Sequence, residues 1–405
     1  MRENKIWIIS EFYYPVVTST GYYITEIAEY LAKKNINVNV ICTSSNYNEG
    51  DYRKFVSEEY INGVKIYRVK SGNLDKNNFS QRVIKLFSSS VLLFFKILFL
   101  IDKRDQVLIV TNPVFLILLM PIVNIIKGIK YKILVHDIFP ENLIAIGKIK
   151  ANSFLFKILK NSFDFSYSRA ELCIAIGRDM KDVLEKKIGP NSKICIIPNW
   201  SDINEVKPLS KNETIIINNF NLKNKFIFQF AGNLGYAQGL ENIIEAIKLV
   251  NNDNLHFLFI GSGALEKQIE QYANQEFVTN VTSIGFQKRN DQSDFLNACD
   301  VAIVTLSDGM YGLGVPSKSY NIMAADKPIL IIADPNSEIS ICVNEYNIGW
   351  VVKPNDPHQL SNTFQYIYND FMVNKKPFIN SSREVAVNLF AKDIILEKYF
   401  KLFEQ

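Results

Sequence analysis

Histidine and cysteine, the residues on which most metal and thiol chemistry depends, are scarce in this sequence. It has three histidines and five cysteines in 405 residues, and no two cysteines form a C-x-x-C pair. An odd number of widely spaced cysteines argues against both a disulfide framework and a metal cluster. Four of the cysteines lie within or beside apolar runs, which predicts buried free thiols in a reducing compartment. We therefore expect no metal site.

The sequence also lacks a strong charge bias. Its formal net charge of +4 is too small to predict a nucleic-acid partner, and no basic run with interleaved aromatic residues occurs. The first residues lead at once into the strand-like run Ile6–Ile9, so we expect no secretion signal. These absences favour a cytoplasmic globular protein, and 405 residues suffice for two or three domains.

Short apolar runs and amphipathic runs alternate regularly along the chain. The first three, at 5–9, 22–34 and 37–42, read as strand, helix and strand. Such a unit implies a parallel sheet with right-handed crossovers. A second series begins after a polar, asparagine-rich stretch at 201–224. Further strands are predicted at 64–69, 131–135, 172–176, 193–197, 225–231, 255–260, 279–284, 300–305, 328–332 and 348–352, and a final amphipathic helix at 383–403.

Three glycine-bearing turns in the second half of the chain each follow a predicted strand. They are Gly232–Gly239, Gly261–Gly263 and Gly312–Gly314. In open parallel sheets, nucleotides and phosphates bind at the carboxyl ends of the strands. One G-x-G turn is weak evidence, and an ordinary strand-to-helix turn is the alternative. The three turns together predict a nucleotide site.

The last of these turns runs into Pro316-Ser317-Lys318. Pro316 suits the first position of a helix, and the free N–H groups of a helix start attract anions. Lys318 adds a cation in the first turn, where it opposes the helix dipole. That arrangement is reasonable if an anionic ligand binds there. A surface lysine on an ordinary turn is the alternative.

Of the three histidines, only His136 stands at the carboxyl end of a predicted strand, and Asp137 and Glu141 follow it. This position favours a functional role, although a single histidine can equally be structural. The long loop after the first strand ends on Gly21, at the start of a predicted helix. The backbone at Gly21 would allow a ligand to approach.

Residues 83–126 contain two apolar runs with aromatic residues and an excess of basic neighbours. Lys85 and Lys96 interrupt the first run, and the second is too short to cross ~30 Å of hydrocarbon, so we expect neither to span a membrane. An apolar, aromatic and basic helix suits the surface of an anionic membrane. A buried crossover helix beside a central strand is the alternative.

Taken together, these motifs resemble those of the GT-B glycosyltransferases, and within them the retaining family 4, in its branch from bacterial O-antigen and capsule assembly. The residues that carry the resemblance are Tyr14-Pro15 with Gly21, His136-Asp137 with Pro140-Glu141, Ile197–Trp200, Phe230–Gly239, Phe259–Gly263 and Val315–Ala324. Each motif is short, but their order and spacing span nearly the whole chain.

The resemblance implies the GT-B fold, in which two Rossmann-like, doubly wound parallel-sheet domains face each other across a cleft. Residues 1–205 would bind the acceptor, 206–382 would bind the donor, and a helix at 383–405 would cross back onto the first domain. The implied reaction moves an N-acetylated amino or deoxyamino hexose from a UDP-sugar to a polyprenyl-diphosphate-linked saccharide. It requires no metal or other cofactor, and the enzyme would lie on the inner face of the cell membrane.

The resemblance also implies a set of site residues. His136, Asp137 and Glu141 would be catalytic. The donor-binding residues would be Gly232, Asn233, Leu234, Gly235, Gln238, Gly261, Gly263, Gly312, Leu313, Gly314, Ser317, Lys318 and Asn321. The acceptor-binding residues would be Tyr14, Thr20, Gly21 and Tyr22.

The sequence departs from the family pattern in two places. Asn233 and Gln238 stand where many members have an arginine and a lysine for the donor diphosphate. Leu313 and Asn321 stand where many members have two glutamates, the second of which binds the ribose. Lys318 is therefore expected to be the main cation for the diphosphate.

Two other functions are compatible with these residues. A nucleotide-sugar 2-epimerase shares the GT-B architecture, but it would carry more carboxylates in its cleft and has no need of an apolar basic helix. A non-catalytic GT-B scaffold subunit would explain the loss of the two basic residues and the two glutamates.

Overall fold

A computed structural model of the protein describes residues 5–16, 18–44, 56–70, 72, 79–190, 193–374 and 380–404. The chain folds into two compact units, Met1–Pro198 with Ile395–Gln405, and Asn199–Ile394. The strands are β1 (Ile6–Ile9), β2 (Val38–Thr43), β3 (Glu58–Ile61), β4 (Val64–Val69), β5 (Gln106–Val110), β6 (Tyr131–Val135), β7 (Leu172–Ala175), β8 (Ile194–Ile196), β9 (Phe226–Ala231), β10 (Leu255–Ile260), β11 (Val281–Ile284), β12 (Val301–Thr305), β13 (Ile329–Ile332) and β14 (Gly349–Val352).

Helices alternate with these strands. They are α1 (Ser19–Lys33), α2 (Phe79–Leu100), α3 (Val114–Lys127), α4 (Glu141–Ala145), α5 (Phe154–Arg169), α6 (Arg178–Ile188), α7 (Ile215–Asn219), α8 (Leu240–Lys248), α9 (Glu266–Ala273), α10 (Gln292–Asn297), α11 (Lys318–Ala324), α12 (Glu338–Tyr346), α13 (Pro357–Asn374), α14 (Ser382–Leu389) and α15 (Lys392–Phe403).

Each unit is built on one sheet. In the first, the strand order is β3-β4-β2-β1-β5-β6-β7-β8, and only the β3–β4 pair is antiparallel. In the second, the order is β11-β10-β9-β12-β13-β14, and the five pairings between these strands are parallel. The strands β1, β9 and β10 are buried along their whole length, because parallel sheets of this kind are covered by helices on both faces.

The strand order of each sheet reverses at one point, between β1 and β5 in the first unit and between β9 and β12 in the second. The loops that leave the carboxyl ends of such strands diverge, which leaves room for a ligand. In the first unit, a backbone hydrogen bond joins the loops after β1 and β5 at this point. The Glu11 N–H donates to the Asn112 carbonyl at 3.0 Å.

The strands predicted from the sequence are all present, with ends within about two residues of the prediction. Two strands were missed. The edge strand β3 is only partly buried, so its sequence gives a weak apolar signal. The central strand β5 lies between two long apolar runs, so no change in hydropathy marks its ends.

The prediction of one helix over 383–403 is wrong. The structure has two helices, α14 and α15, separated by Phe390 and Ala391. The carbonyl of Phe390 accepts a hydrogen bond from the Ser201 N–H at 2.7 Å, and Ala391 forms a β-bridge with Ser201. These backbone groups are therefore not available to continue a helix.

The same contacts explain where the two units divide. The sequence places the boundary at residue 205 and returns the chain to the first domain from 383, whereas residues 199–205 and 383–394 belong to the second unit. Ser201 donates its hydroxyl to the Tyr320 carbonyl at 2.5 Å. Arg383 donates to the carbonyls of Ile203 and Val206.

Helix α2 has 22 residues, which makes it about 33 Å long at 1.5 Å per residue. By length and composition alone, its segment Ser80–Leu100 is long and apolar enough to cross a membrane, and among the described residues no other helix meets that test. The expectation that neither apolar run spans a membrane stays a prediction. In the structure, α2 packs against α3, β2 and β4.

Candidate functional site

In the second unit, the loops after β9 and β12 are tied together at the point where the strand order reverses. The Thr305 hydroxyl donates to the Gln238 carbonyl at 2.8 Å, and the Ser307 hydroxyl donates to the Tyr236 carbonyl at 2.9 Å. These two hydrogen bonds hold the backbone of the glycine turn Gly232–Gly239 in place. A rigid turn can present its outer face to a ligand with little loss of entropy.

Gly261 and Gly263 are explained by packing against this turn. A Cβ at Gly261 would lie 1.9 Å from the Gly232 carbonyl oxygen, and one at Gly263 would lie 2.5 Å from the Leu234 carbonyl oxygen. The Leu234 N–H donates to the Ser262 carbonyl at 3.0 Å. Both glycines are thus required to bring two loops together, whatever ligand binds above them.

Lys318 lies against the same turn. Its Nζ is 3.4 Å from the centroid of the Phe230 ring, and its side chain approaches to 3.4 Å the position that a Cβ on Gly232 would occupy. Desolvation lowers the pKa of Lys318 well below its ordinary value. Among the described residues, no carboxylate forms an ion pair with it. The ring face attracts the ammonium group, but a desolvated cation without an anion remains costly.

The turn Gly312–Gly314 and the start of α11 differ from the prediction. Helix α11 begins at Lys318, and Pro316 lies before it. The Leu313 N–H already donates to the Met310 carbonyl at 3.1 Å, so this amide is not available for a phosphate. Ser317 is the residue immediately before the helix, next to Lys318.

Asn321 is committed to contacts within the second unit. Its Oδ1 accepts a hydrogen bond from the Asp202 N–H at 3.0 Å, and its Nδ2 donates to the Gln292 side chain at 3.2 Å. Asn233, in contrast, is exposed, and its amide packs beside Gly235. Of these two asparagines, Asn233 is therefore the one that is open to a ligand.

In the first unit, His136 follows β6. The backbone N–H groups of His136 and Asp137 both donate to the Thr111 hydroxyl, at 3.1 and 3.2 Å. The imidazole packs edge-on against Tyr23 with 6.1 Å between ring centroids. Its Nε2 is buried and has no hydrogen-bond partner among the residues that the structure describes. Burial lowers the pKa of His136 to about 4, so the ring is neutral at neutral pH.

The two carboxylates near His136 lie in different surroundings. Asp137 keeps an exposed side-chain surface, yet desolvation raises its pKa to about 6, with Arg82 acting in the opposite direction. Glu141 pairs with Lys187 at 2.6 Å, and the Lys187 ammonium, which is only 2% exposed, lies 2.6 Å from Asp164 as well. Glu141 is therefore held in an ion-pair network that joins α4, α5 and α6.

The four predicted acceptor residues lie in the loop after β1 and in the first turn of α1. Tyr14 is exposed, with its N–H donating to Thr25 at 3.1 Å. Gly21 is needed for the helix start: its N–H donates to the Thr18 hydroxyl, which would lie 2.9 Å from an added Cβ. Thr20 and Tyr22 are partly buried beside it.

Two residues of the first unit were missed in the sequence. Glu11 lies two residues after the end of β1 and is buried, and burial raises the pKa of its carboxyl. Arg68 is buried and donates to the Tyr14 carbonyl at 2.6 Å and to Glu59 at 2.6 Å. An acidic residue close to the carboxyl end of an apolar strand was an available signal for Glu11. No sequence signal marks Arg68, because its partners are distant along the chain.

The described part of the chain contains no group of three or more His, Cys, Asp or Glu side chains suited to a metal ion. The five cysteines are free, and Cys195 alone among them is partly exposed. The prediction of buried free thiols is confirmed for the other four.

Sequence models of two known families match the chain. Residues 20–205 match Glycosyltransferase Family 4, and residues 211–383 match Glycosyl transferases group 1. Together with two doubly wound parallel-sheet units, these matches define a glycosyltransferase of the GT-B fold, which makes the chain a transferase enzyme.

Comparison with curated proteins identifies the family. WbjE from Pseudomonas aeruginosa, named as a probable glycosyltransferase, is 36% identical over 357 residues, 88% of each chain. WcaI from Escherichia coli, whose name assigns it to colanic acid biosynthesis, is 24% identical over 365 residues, 86% of this chain and 88% of WcaI. The chain belongs to the family 4 glycosyltransferases.

A solved structure shows the same fold. Alr3699/HepE from Anabaena, determined in complex with UDP, superposes with a TM-score of 0.73 at 14% identity and covers 99% of both chains. The prediction of the GT-B fold is confirmed.

Proposed function

We propose that the chain is a retaining glycosyltransferase of polysaccharide synthesis, in the O-antigen or capsule class. It moves an N-acetylated amino or deoxyamino hexose from a UDP-sugar to a polyprenyl-diphosphate-linked saccharide. The observation that carries this proposal is Lys318, a desolvated cation on the Phe230 ring beside the open face of Gly232. The name of WcaI and the UDP bound to HepE agree with it.

In this proposal, Lys318 holds the diphosphate of the donor. Glycosyl transfer leaves UDP with more negative charge than it carried in the bound sugar nucleotide. A fixed cation therefore stabilises the transition state more than the ground state, which lowers the barrier. Because the Lys318 side chain already lies against Phe230, it needs no reorganisation when the bond breaks. The reaction then needs no metal ion for this charge.

The proposed role of His136 follows from its neutral imidazole and unpartnered Nε2. A neutral ring can exchange a hydrogen bond with a sugar hydroxyl and orient the substrate without carrying a charge of its own. The acceptor proton passes to the departing phosphate on the same face of the sugar. Glu141 has no part in this step, because Lys187 neutralises it.

Asp137 is the remaining candidate for orienting the acceptor hydroxyl. It is exposed next to His136 and its backbone is fixed by Thr111. Tyr14, Thr20, Gly21 and Tyr22 line the loop that would receive the acceptor sugar. A lipid-linked acceptor requires an enzyme at the membrane, and we propose that residues 83–126 bind the anionic inner leaflet.

Incubation of the protein with a panel of UDP-sugars tests the proposed reaction. A transferase releases free sugar slowly from its own donor in the absence of acceptor, and chelation of divalent ions leaves the rate unchanged. Conversion of one sugar into its 2-epimer would instead identify an epimerase. No turnover with any donor, together with no UDP binding, would identify a scaffold subunit.

A further inference from the structure

Helix α2 buries Leu93 and Ile97 together with Ser89 and Ser90, yet it also presents several large apolar side chains to solvent. Ser89 and Ser90 are fully buried, and the Ser90 hydroxyl donates to the Leu86 carbonyl at 2.7 Å. The exposed large side chains are Ile84, Phe87, Leu92, Phe95 and Phe99, the last with 83% of its surface free. On a surface helix of a soluble domain, the face turned to solvent carries polar and charged side chains instead. We call these five side chains the α2 stripe.

The apolar surface continues onto two neighbouring helices. Helix α3 packs against both α2 and α5. The exposed apolar residues of these two helices are Ile122, Ile125, Ile126, Phe154, Leu155, Ile158 and Phe165. Contiguous apolar patches of this kind are rare on monomeric soluble proteins and mark binding surfaces. One side of the first unit is therefore built to contact an apolar medium.

Two cations stand at the amino-terminal end of the α2 stripe. Arg82 is exposed and Lys85 is partly buried. Both act electrostatically on the buried carboxyl of Glu11, and Arg82 also acts on Asp137. Neither cation forms an ion pair with a residue in the described part of the chain. The amino end of α2 therefore brings two cations close to the carboxyl ends of β1 and β6.

This juxtaposition fits one kind of ligand. A lipid that carries a diphosphate places its negative charges at the depth of the headgroups and its hydrocarbon chain in the leaflet below. A helix with an apolar stripe lies at the same boundary, with its basic side chains extended toward the headgroups. A saccharide attached to that diphosphate would then lie at the strand ends that carry Glu11, Asp137 and His136.

We propose that Arg82 and Lys85 bind the diphosphate of the lipid-linked acceptor, while the α2 stripe lies in the leaflet that holds its hydrocarbon chain. This assignment rests on the proposed transfer to a lipid-linked saccharide. It gives α2 a role in acceptor choice that is separate from general attraction to anionic lipid. A lipid monophosphate carries fewer negative charges, so it binds Arg82 and Lys85 less tightly.

The test compares binding to three kinds of vesicle with equal surface charge. Phosphatidylcholine is mixed with undecaprenyl diphosphate, with undecaprenyl monophosphate or with phosphatidylglycerol, and binding is measured by flotation. The variant R82Q/K85Q is matched by K33Q/K186Q, which removes two exposed positive charges of the first unit that lie on α1 and α6. Thermal melting of each variant shows whether it is folded. Since Arg82 is exposed, R82Q alone carries the test if Lys85 does not tolerate substitution.

The expected result is tighter binding of the unmodified protein to the diphosphate vesicles. This preference falls about tenfold in R82Q/K85Q, the equivalent of one lost hydrogen bond between charged groups, and persists in K33Q/K186Q. An equal loss in both variants, or no preference in the unmodified protein, overturns the proposal. Resistance to alkaline extraction would mean that α2 spans the bilayer, and a stable dimer without lipid would mean that a second copy covers the stripe; either result also overturns it. The assay contains no donor, so it stands apart from the UDP-sugar test of the reaction.

Discussion

At the scale of single residues, the proposed donor site depends most on Lys318. It lies on the Phe230 ring, and among the described residues it has no carboxylate partner. Most cations in folded proteins are solvated or paired, because desolvating an isolated charge is expensive. The arrangement is explained if the partner is the diphosphate of a bound ligand.

We expect Lys318→Ala to weaken UDP binding by about 1.5–3 kcal/mol, the range for a hydrogen bond to a charged group. Uridine, which has no phosphate, should bind as before, and the stability of the free protein should stay the same or rise. Calorimetric titration with both ligands measures this, with the exposed Lys267→Ala of the same unit as a control. An equal loss for UDP and uridine would show that Lys318 only shapes the site.

The pKa of Lys318 provides a second test. Desolvation lowers this pKa in the free protein, and a bound diphosphate favours the charged form and raises it again. UDP binding should therefore take up protons between the two pKa values, and affinity should fall as pH rises through that window. Titration in buffers of different ionisation enthalpy measures the uptake. Uptake that persists in Lys318→Ala would assign the proton to another group.

For His136 we expect turnover to suffer more than donor binding. His136→Ala removes a neutral imidazole whose Nε2 is unpartnered, so kcat should fall while the KM for the UDP-sugar changes little. Because burial lowers the pKa of His136 to about 4, its titration should not appear in the pH–rate profile between pH 5 and 8. Near-normal turnover in a folded His136→Ala protein would make the residue structural.

At the scale of elements, ion pairs and loop contacts fix the surroundings of the site. Lys187 joins α6 to Glu141 on α4 and Asp164 on α5. Buried pairs of this kind add little net stability, but removal of one partner leaves the other charge uncompensated. The network therefore gives Glu141, in the segment after His136, a structural role.

Lys187→Met should destabilise the protein by about 3–5 kcal/mol, since two carboxylates lose their partner. Glu141→Gln should cost less and should keep the kcat of the unmodified enzyme per folded molecule. Urea unfolding and donor hydrolysis, measured on the same samples, separate the two effects. A stable Glu141→Gln protein that has lost turnover would show that Glu141 is a catalytic residue.

At the scale of the whole molecule, the apolar side of the first unit and its basic residues predict attachment to a membrane. Helices α2, α3 and α5 expose a continuous set of aliphatic and aromatic side chains, and Lys85, Lys96 and Lys103 lie along or beside α2. Apolar area alone gives weak, reversible binding, whereas basic residues add attraction to anionic lipid.

We expect the protein to bind anionic liposomes without detergent and to be released by salt, because surface charges are screened at high ionic strength. Charge reversal at Lys85, Lys96 and Lys103 should abolish this binding while the fold is retained. Sedimentation with liposomes of graded anionic content measures it. Equal binding to neutral and anionic liposomes would remove the electrostatic part of the proposal.

Much of the fold follows from the sequence because the relevant signals are local. The strand β6 was predicted with its observed ends, and the turns Gly232–Gly239 and Gly261–Gly263 follow the strands that were predicted to precede them. Apolar period and turn chemistry act over a few residues, so one sequence displays them directly. The strand β5 was missed because its neighbours are apolar as well, which leaves no contrast to mark it.

Only part of the candidate site could be predicted from local sequence patterns. The sequence by itself determined which strand ends carry His136, the glycine turns and Lys318. Only the tertiary structure decided which of these groups already has a partner within the protein: Asn321 bonds to Asp202, Glu141 pairs with Lys187, and Lys318 has the ring of Phe230. The tertiary structure also placed Ser89 and Ser90 of α2 in the interior and Phe87, Phe95 and Phe99 on the surface. Such contacts join residues that are far apart along the chain. They depend on long-range packing, which no local sequence pattern encodes.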